Sequence, residues 1–196
     1  MKISAELESK KYIICLNIGD DNCSAFYLQR ESYGAIKGFL SLDGDKSNPI
    51  IQIPTVMCFD EKDNTFIGKL SRDKSFTSVV DFIAPPPIAE GHKGWNGICP
   101  KAGGKKSFRD CMQLFIKTLW ANIIRCNSDK IEVFADRTSY EFKTMRDIAI
   151  FVGYPDTYGW SGDTRKEAYK ELIQSATGVE SVFVVSKSFA SAFGAV

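Results

Sequence analysis

The sequence has a single histidine, His92, and none of its six cysteines stand in C-x-x-C spacing. A zinc site needs clustered thiolate or imidazole ligands, so none is expected. No apolar run approaches the roughly 20 residues that span a bilayer as a helix. There is little net charge either: 25 basic residues stand against 24 acidic ones. That balance gives no electrostatic case for nucleic acid or an anionic membrane. The N-terminus, MKISAELESKK, is polar and unlike a signal peptide. An intracellular, cytoplasmic protein with reduced cysteines is therefore expected. Cys15 and Cys58 lie in apolar runs and read as small buried hydrophobes.

What is present is ample for a core. Apolar residues make up 44% of the 196-residue chain, enough for one large domain. Residues 1–10 read as a polar lead-in. Tyr12 to Ile18 reads as a buried strand, and Cys23 to Arg30 as its hairpin partner across the polar turn Gly19-Asp20-Asp21-Asn22. Ser32 to Leu42 reads as a third strand, Ile53 to Phe59 as a fourth, and Phe66 to Gly68 as its return, with a short helix from Lys69. Residues 85–106, rich in Pro, Gly and Lys, form an irregular insertion. Its Trp95, like Trp160 further on, is expected to be partly buried, and His92 reads as a loop residue.

Ser107 followed by Asp110 predicts a capped helix. Phe108, Met112, Phe115, Leu119 and Ile123 then fall on one helical face, to be packed on a sheet. Ile131 to Ala135 and Asp147 to Gly153 read as strands. A helix from about Gly162 to Thr177, closed by Gly178, leads to a strand over Ser181 to Val185 and a helix from Ser188. Hairpins first and crossovers later predict an α/β mixed sheet flanked by helices, antiparallel and then parallel.

Four segments carry a family resemblance. Ile14 to Asn22 (ICLNIGDDN) resembles the first phosphate loop of the actin-like ATPases, and Ile53 to Phe59 (IPTVMCF) their I-P-S-V-V-A-F strand. Phe66-Ile67-Gly68 resembles the start of their V-G-D-A-A-K segment. Ile150 to Pro155, the helix to Gly178 and Ser181 to Gly194 resemble the strand–helix–strand–helix run ending in E-P-T-A-A-A. Within that superfamily the chain is most similar to the seventy-kilodalton heat-shock chaperones. The resemblance implies a ribonuclease H-like fold. Residues 11–196 would be the first lobe of an ATP-binding domain, and the second lobe, which supplies the other phosphate loop, would be absent beyond Val196.

The resemblance also implies a site. Asn17, Gly19, Asp20, Asp21 and Asn22 match the nucleotide-binding turn, with Asn17 and Asp20 the positions near Mg²⁺. Arg72 falls where the family has its catalytic lysine. Lys187 falls where the family has a glutamate that positions the attacking water. The chemistry departs from the pattern at several of these positions. Asn17 keeps an oxygen but loses the charge of the family's aspartate. Asp20 and Asp21 replace hydroxyl residues, and an ionised carboxylate accepts hydrogen bonds without donating any. A phosphate at about 4 Å from such a group is repelled by on the order of 4 kcal/mol at an effective dielectric near 20, unless a hard cation lies between. Lys187 cannot serve as a base at neutral pH. As an ordinary hairpin turn, Asp20-Asp21-Asn22 needs no ligand at all. Three functions follow: a weakly hydrolysing ATP-binding chaperone with protein clients or co-chaperones, a pseudo-ATPase interaction scaffold, or a small-molecule kinase of the same superfamily.

Overall fold

The computed structural model describes residues 5–19, 21–31, 34–44, 47–60, 64–68, 77–78, 94–99, 102, 105–127, 147–154 and 163–186. The expected segments at Lys69, Ile131 to Ala135 and Ser188 onward lie outside these residues, as do His92 and Trp160. A helical turn, α1 (Ala5–Glu8), precedes the sheet and buries Leu7. The polar lead-in thus contributes to the fold, and the Glu8 carbonyl accepts a hydrogen bond from Arg30 Nη1 at 3.1 Å.

Strand β1 (Tyr12–Ile18) alternates. Tyr12, Ile14, Leu16 and Ile18 are buried, whereas Cys15 and Asn17 face outward and are exposed. The period of two, rather than the apolar run as a whole, decides which residues are covered. Cys15 is thus a correction to the sequence reading, while Cys58 is buried as expected. β1 pairs antiparallel with β2 (Asn22–Glu31), which pairs antiparallel with β3 (Gly34–Phe39). On its other side β1 runs parallel to β10 (Ile148–Tyr154), and β10 runs parallel to β11 (Ser181–Ser186). The order across the sheet is β11-β10-β1-β2-β3.

Between β3 and β10 lie shorter pieces: β4 (Asp43–Gly44), β5 (Pro49–Ile50), β6 (Gln52–Pro54), β7 (Val56–Phe59), β8 (Thr65–Ile67) and β9 (Thr77–Ser78). The single strand expected over Ile53 to Phe59 is two. β6 pairs with β2, and β7 pairs with β8 and β9 in a separate small sheet, with the break at buried Thr55. Pro54 has no N–H to extend the ladder, which favours an end of pairing there.

Helix α2 (Phe108–Cys126) starts as the sequence predicts. Ser107 Oγ accepts from the Asp110 backbone N–H at 3.1 Å, and Asp110 Oδ2 accepts from the Ser107 N–H at 3.0 Å. The Ser107 hydroxyl, which donates to Asp110 Oδ2 at 2.7 Å, and then the Ser107 N–H hold the Asp110 carboxyl below its ordinary range. All five residues of the predicted face are buried. Helix α3 (Asp163–Thr177) ends before Gly178, whose φ of 73° suits a residue without Cβ. The crossovers through α2 and α3 both step the same way across the sheet. The right-handed rule then places both helices on one face, and Gln113 Nε2 donates to Ser175 Oγ at 2.9 Å between them. Tyr12, Ile14, Phe115, Tyr169 and Ile150 share the resulting core. Each large side chain fully buried there contributes about 1.5–3 kcal/mol.

At the far end of α2, buried Asn127 fastens the loop after β3. Its Oδ1 accepts from Ser41 N–H at 2.9 Å, and its Nδ2 donates to the Ser41 and Ile123 carbonyls at 2.8 and 2.7 Å.

Burial, and then the neighbouring Cys99 thiol, push Cys111 up to about 12 from 9.0. Burial also raises the Tyr169 phenol. The folded chain therefore keeps a proton on Cys111 that the unfolded chain releases above pH 9.0. This contribution to stability is complete below 9.0 and is lost as the pH rises toward about 12. Thermal midpoints measured across that window should stay level up to 9.0 and fall above it; a level midpoint throughout would contradict the burial of these groups.

Candidate functional site

The carboxyl ends of β1 and β10 meet at one edge of the sheet, and the β1–β2 turn closes it. In open α/β sheets ligands gather at such carboxyl edges. The turn is built from backbone. Gly19 N–H donates to the Asn22 carbonyl at 3.0 Å. A Cβ on Gly19 would lie 2.8 Å from that same oxygen, so the position needs glycine. The Asp21 carbonyl accepts from Thr55 N–H at 2.9 Å, which ties the turn to the β6–β7 break. Beneath it, Cys23 Sγ and Thr55 Oγ1 lie 3.3 Å apart, both buried.

Two more of the resembling segments meet beside this turn. Gly68, with φ of 66°, packs on Ile53, where an added Cβ would come within 2.8 Å of the Ile53 Cβ. Gly68 N–H also donates to the Val56 carbonyl at 3.0 Å. On the other flank, β10 ends at Tyr154, over whose ring Lys166 Nζ sits 5.0 Å from the centroid. Lys166 comes from the first turns of α3, so that helix brings a cation to the edge where β10 ends.

Of the residues expected in the site, Asn17, Gly19, Asp21 and Asn22 come together at this edge. Asn17, Asp21 and Asn22 are exposed. Asp20, Arg72 and Lys187 lie outside the described residues. The Gly19 N–H closes the turn itself, so donors toward an anion must come from the amides that follow it. For Mg²⁺, the described residues offer the Asn17 amide oxygen and the Asp21 carboxylate. No cluster of three or more His, Cys, Asp or Glu that could hold a metal occurs among them. That set suits an ion held mainly by water and substrate phosphates, as Mg²⁺ commonly is, and does not suit a closed protein cage. Thr55 and Lys166 were not singled out from the sequence. Thr55 had a signal, the Pro54 before it; Lys166 had none apart from the fold.

No family profile matches the sequence, and no curated protein matches it. Among solved structures, MreB 5 of Spiroplasma citri bound to AMPPNP is similar over 94% of this chain, with 13% identity and a TM-score of 0.42. A non-polymerising MamK mutant bound to AMPPNP is similar over 95% of it, with 11% identity and a TM-score of 0.42. The chain spans 41% and 44% of those two chains. The strand order, not these overlaps, defines the fold. Three strands lie on one side of the sheet in the order first, second, third, and two parallel strands extend it beyond the first. With only the second strand reversed, this is the ribonuclease H-like α/β arrangement.

Replacing Gly19 by Ala should cost roughly 1–3 kcal/mol in urea unfolding, because backbone rather than a flexible side chain opposes the new Cβ. Asp21→Ala, at an exposed side chain, should stay within about 0.5 kcal/mol. Equal effects from the two would mean that the turn is not closed as described.

Proposed function

We propose that this chain forms the first lobe of an actin-like nucleotide-binding protein, which takes the phosphates of ATP against the β1–β2 turn. The observation that carries the reading is convergence. Gly19 to Asn22, Ile53 to Phe59 and Phe66 to Gly68 are separated in sequence, yet they meet at one corner of the sheet through the Asp21–Thr55 and Gly68–Ile53 contacts.

In this reading the amides following Gly19 approach the phosphates. The Asp21 carboxylate and the Asn17 amide oxygen, with Asp20 by its place in the sequence, would hold Mg²⁺, which would supply charge neutralisation against the phosphates. Arg72 serves the γ-phosphate, and Lys187, where the family has a water-positioning acid, leaves hydrolysis slow. A chaperone of the heat-shock type, cytoplasmic and acting on protein clients, is the finer form of this proposal. It rests on the sequence resemblance alone.

A second reading, a scaffold that has lost its nucleotide, is favoured by one particular feature. The Gly19 N–H is spent inside the turn, and the exposed side chains around it, among the described residues, are two amides and a carboxylate, so the edge has less to offer a phosphate than its shape suggests.

Calorimetric titration of the chain with ATP and Mg²⁺ separates the two. The nucleotide reading expects saturable binding in the millimolar range, weakened when Mg²⁺ is chelated, with no phosphate release above background. No heat and no retained nucleotide at millimolar ATP would leave the scaffold reading in its place.

A further inference from the structure

The segment leading into α2 brings two thiols together. Ile98 and Ser107 form an antiparallel bridge. Cys99 N–H donates to the Lys106 carbonyl at 2.8 Å, and Phe108 N–H donates to the Gly97 carbonyl at 3.0 Å. Ser107 then caps α2, and its carbonyl accepts from Cys111 N–H at 3.1 Å. Cys99 is thus held opposite the start of the helix, and Cys111 lies one turn into it. Both are buried, at 2% and 0% exposure, in the same core cluster, and the Cys99 thiol lies near enough to Cys111 to push it up. Both are free thiols.

The other cysteines lie elsewhere in the fold. Cys15 lies on the opposite face of the sheet and is exposed. The Cys23 thiol is engaged with the Thr55 hydroxyl. Cys126 stands at the other end of α2 with its sulfur 3.7 Å from the Gly44 carbonyl. Cys58 belongs to β7.

We propose that Cys99 and Cys111 are a site of oxidative modification, joined by hydrogen peroxide into a disulfide that staples the segment bearing Trp95 to the first turns of α2. The steps balance. The Cys99 sulfur attacks one peroxide oxygen and breaks the O–O bond, giving a sulfenic acid and one water. The Cys111 sulfur then attacks the sulfenic sulfur, the S–O bond breaks, and the hydroxyl leaves as a second water with the Cys111 proton. Two thiols lose two hydrogens and two electrons, and one peroxide becomes two waters. The balance is the same whichever of the two sulfurs attacks first. Burial makes the reaction slow. The backbone bonds that hold both residues at the start of α2 make its product specific.

The sequence supplies a clean assay. Trypsin releases Cys99 in residues 94–101 and Cys111 in residues 110–117, one cysteine to each peptide. The whole chain is treated with peroxide, its remaining thiols are alkylated under denaturing conditions, and the digest is examined without reduction. The linked pair of peptides should replace both alkylated ones in most molecules. The thermal midpoint of the oxidised chain should rise and return on reduction. Cys111→Ser should abolish both changes. The wild-type digest decides the matter even if that variant folds poorly. Recovery of both peptides alkylated, or joined to other cysteines, would overturn the proposal.

Discussion

Strand β1 is the member on which the other parts of this fold depend. Among the described strands it alone meets the antiparallel half of the sheet on one side and the parallel half on the other. Seven of its residues are matched to β2 and five to β10. Its inward side chains lie under both long helices, and its carboxyl end turns into the Gly19 loop. A slip of one residue in β1 would expose Tyr12, Ile14, Leu16 and Ile18 together, and would move the turn relative to Thr55. The register of one strand thus fixes the core and the candidate site at once.

The face turned away from the helices has its own pattern. Phe39, Phe26, Cys15, Phe151 and Phe183 are register partners in one row across five strands. Phe26 and Phe39 meet edge to face at 5.6 Å, and Phe151 stacks on Phe183 at 4.9 Å. These cross-strand pairs add about 0.5–1.5 kcal/mol each beyond the area they cover, and they favour the same register as the buried face. The sheet is therefore specified twice, once from each side.

Much of this was legible in the sequence. The spacing of Phe108 to Ile123 and the Ser107–Asp110 cap place the start and the buried face of α2, because helix starts and faces are local properties. The order of hairpin and crossover gives the mixed sheet for the same reason. What was not legible depends on partners far along the chain. Whether Cys15 is covered depends on which face the helices take. The break at Thr55 depends on β2 pairing only as far as Pro54. Asn127 carries no signal of its own, and its role appears only once Ser41, 86 positions away, is brought against it. In the site, the sequence located the turn, and the fold added Thr55 beneath it and Lys166 beside it. The spending of the Gly19 N–H within the turn is geometry that composition could not supply.

The central claim is that phosphate meets this chain at the β1–β2 turn. Backbone amide shifts, followed residue by residue as ATP and Mg²⁺ are added to the isotopically labelled chain, test it most directly. The account predicts that the largest changes fall on Gly19 to Asn22, with smaller ones at Thr55 and Tyr154. Changes centred elsewhere, such as around Asn127 at the far end of α2, would contradict it.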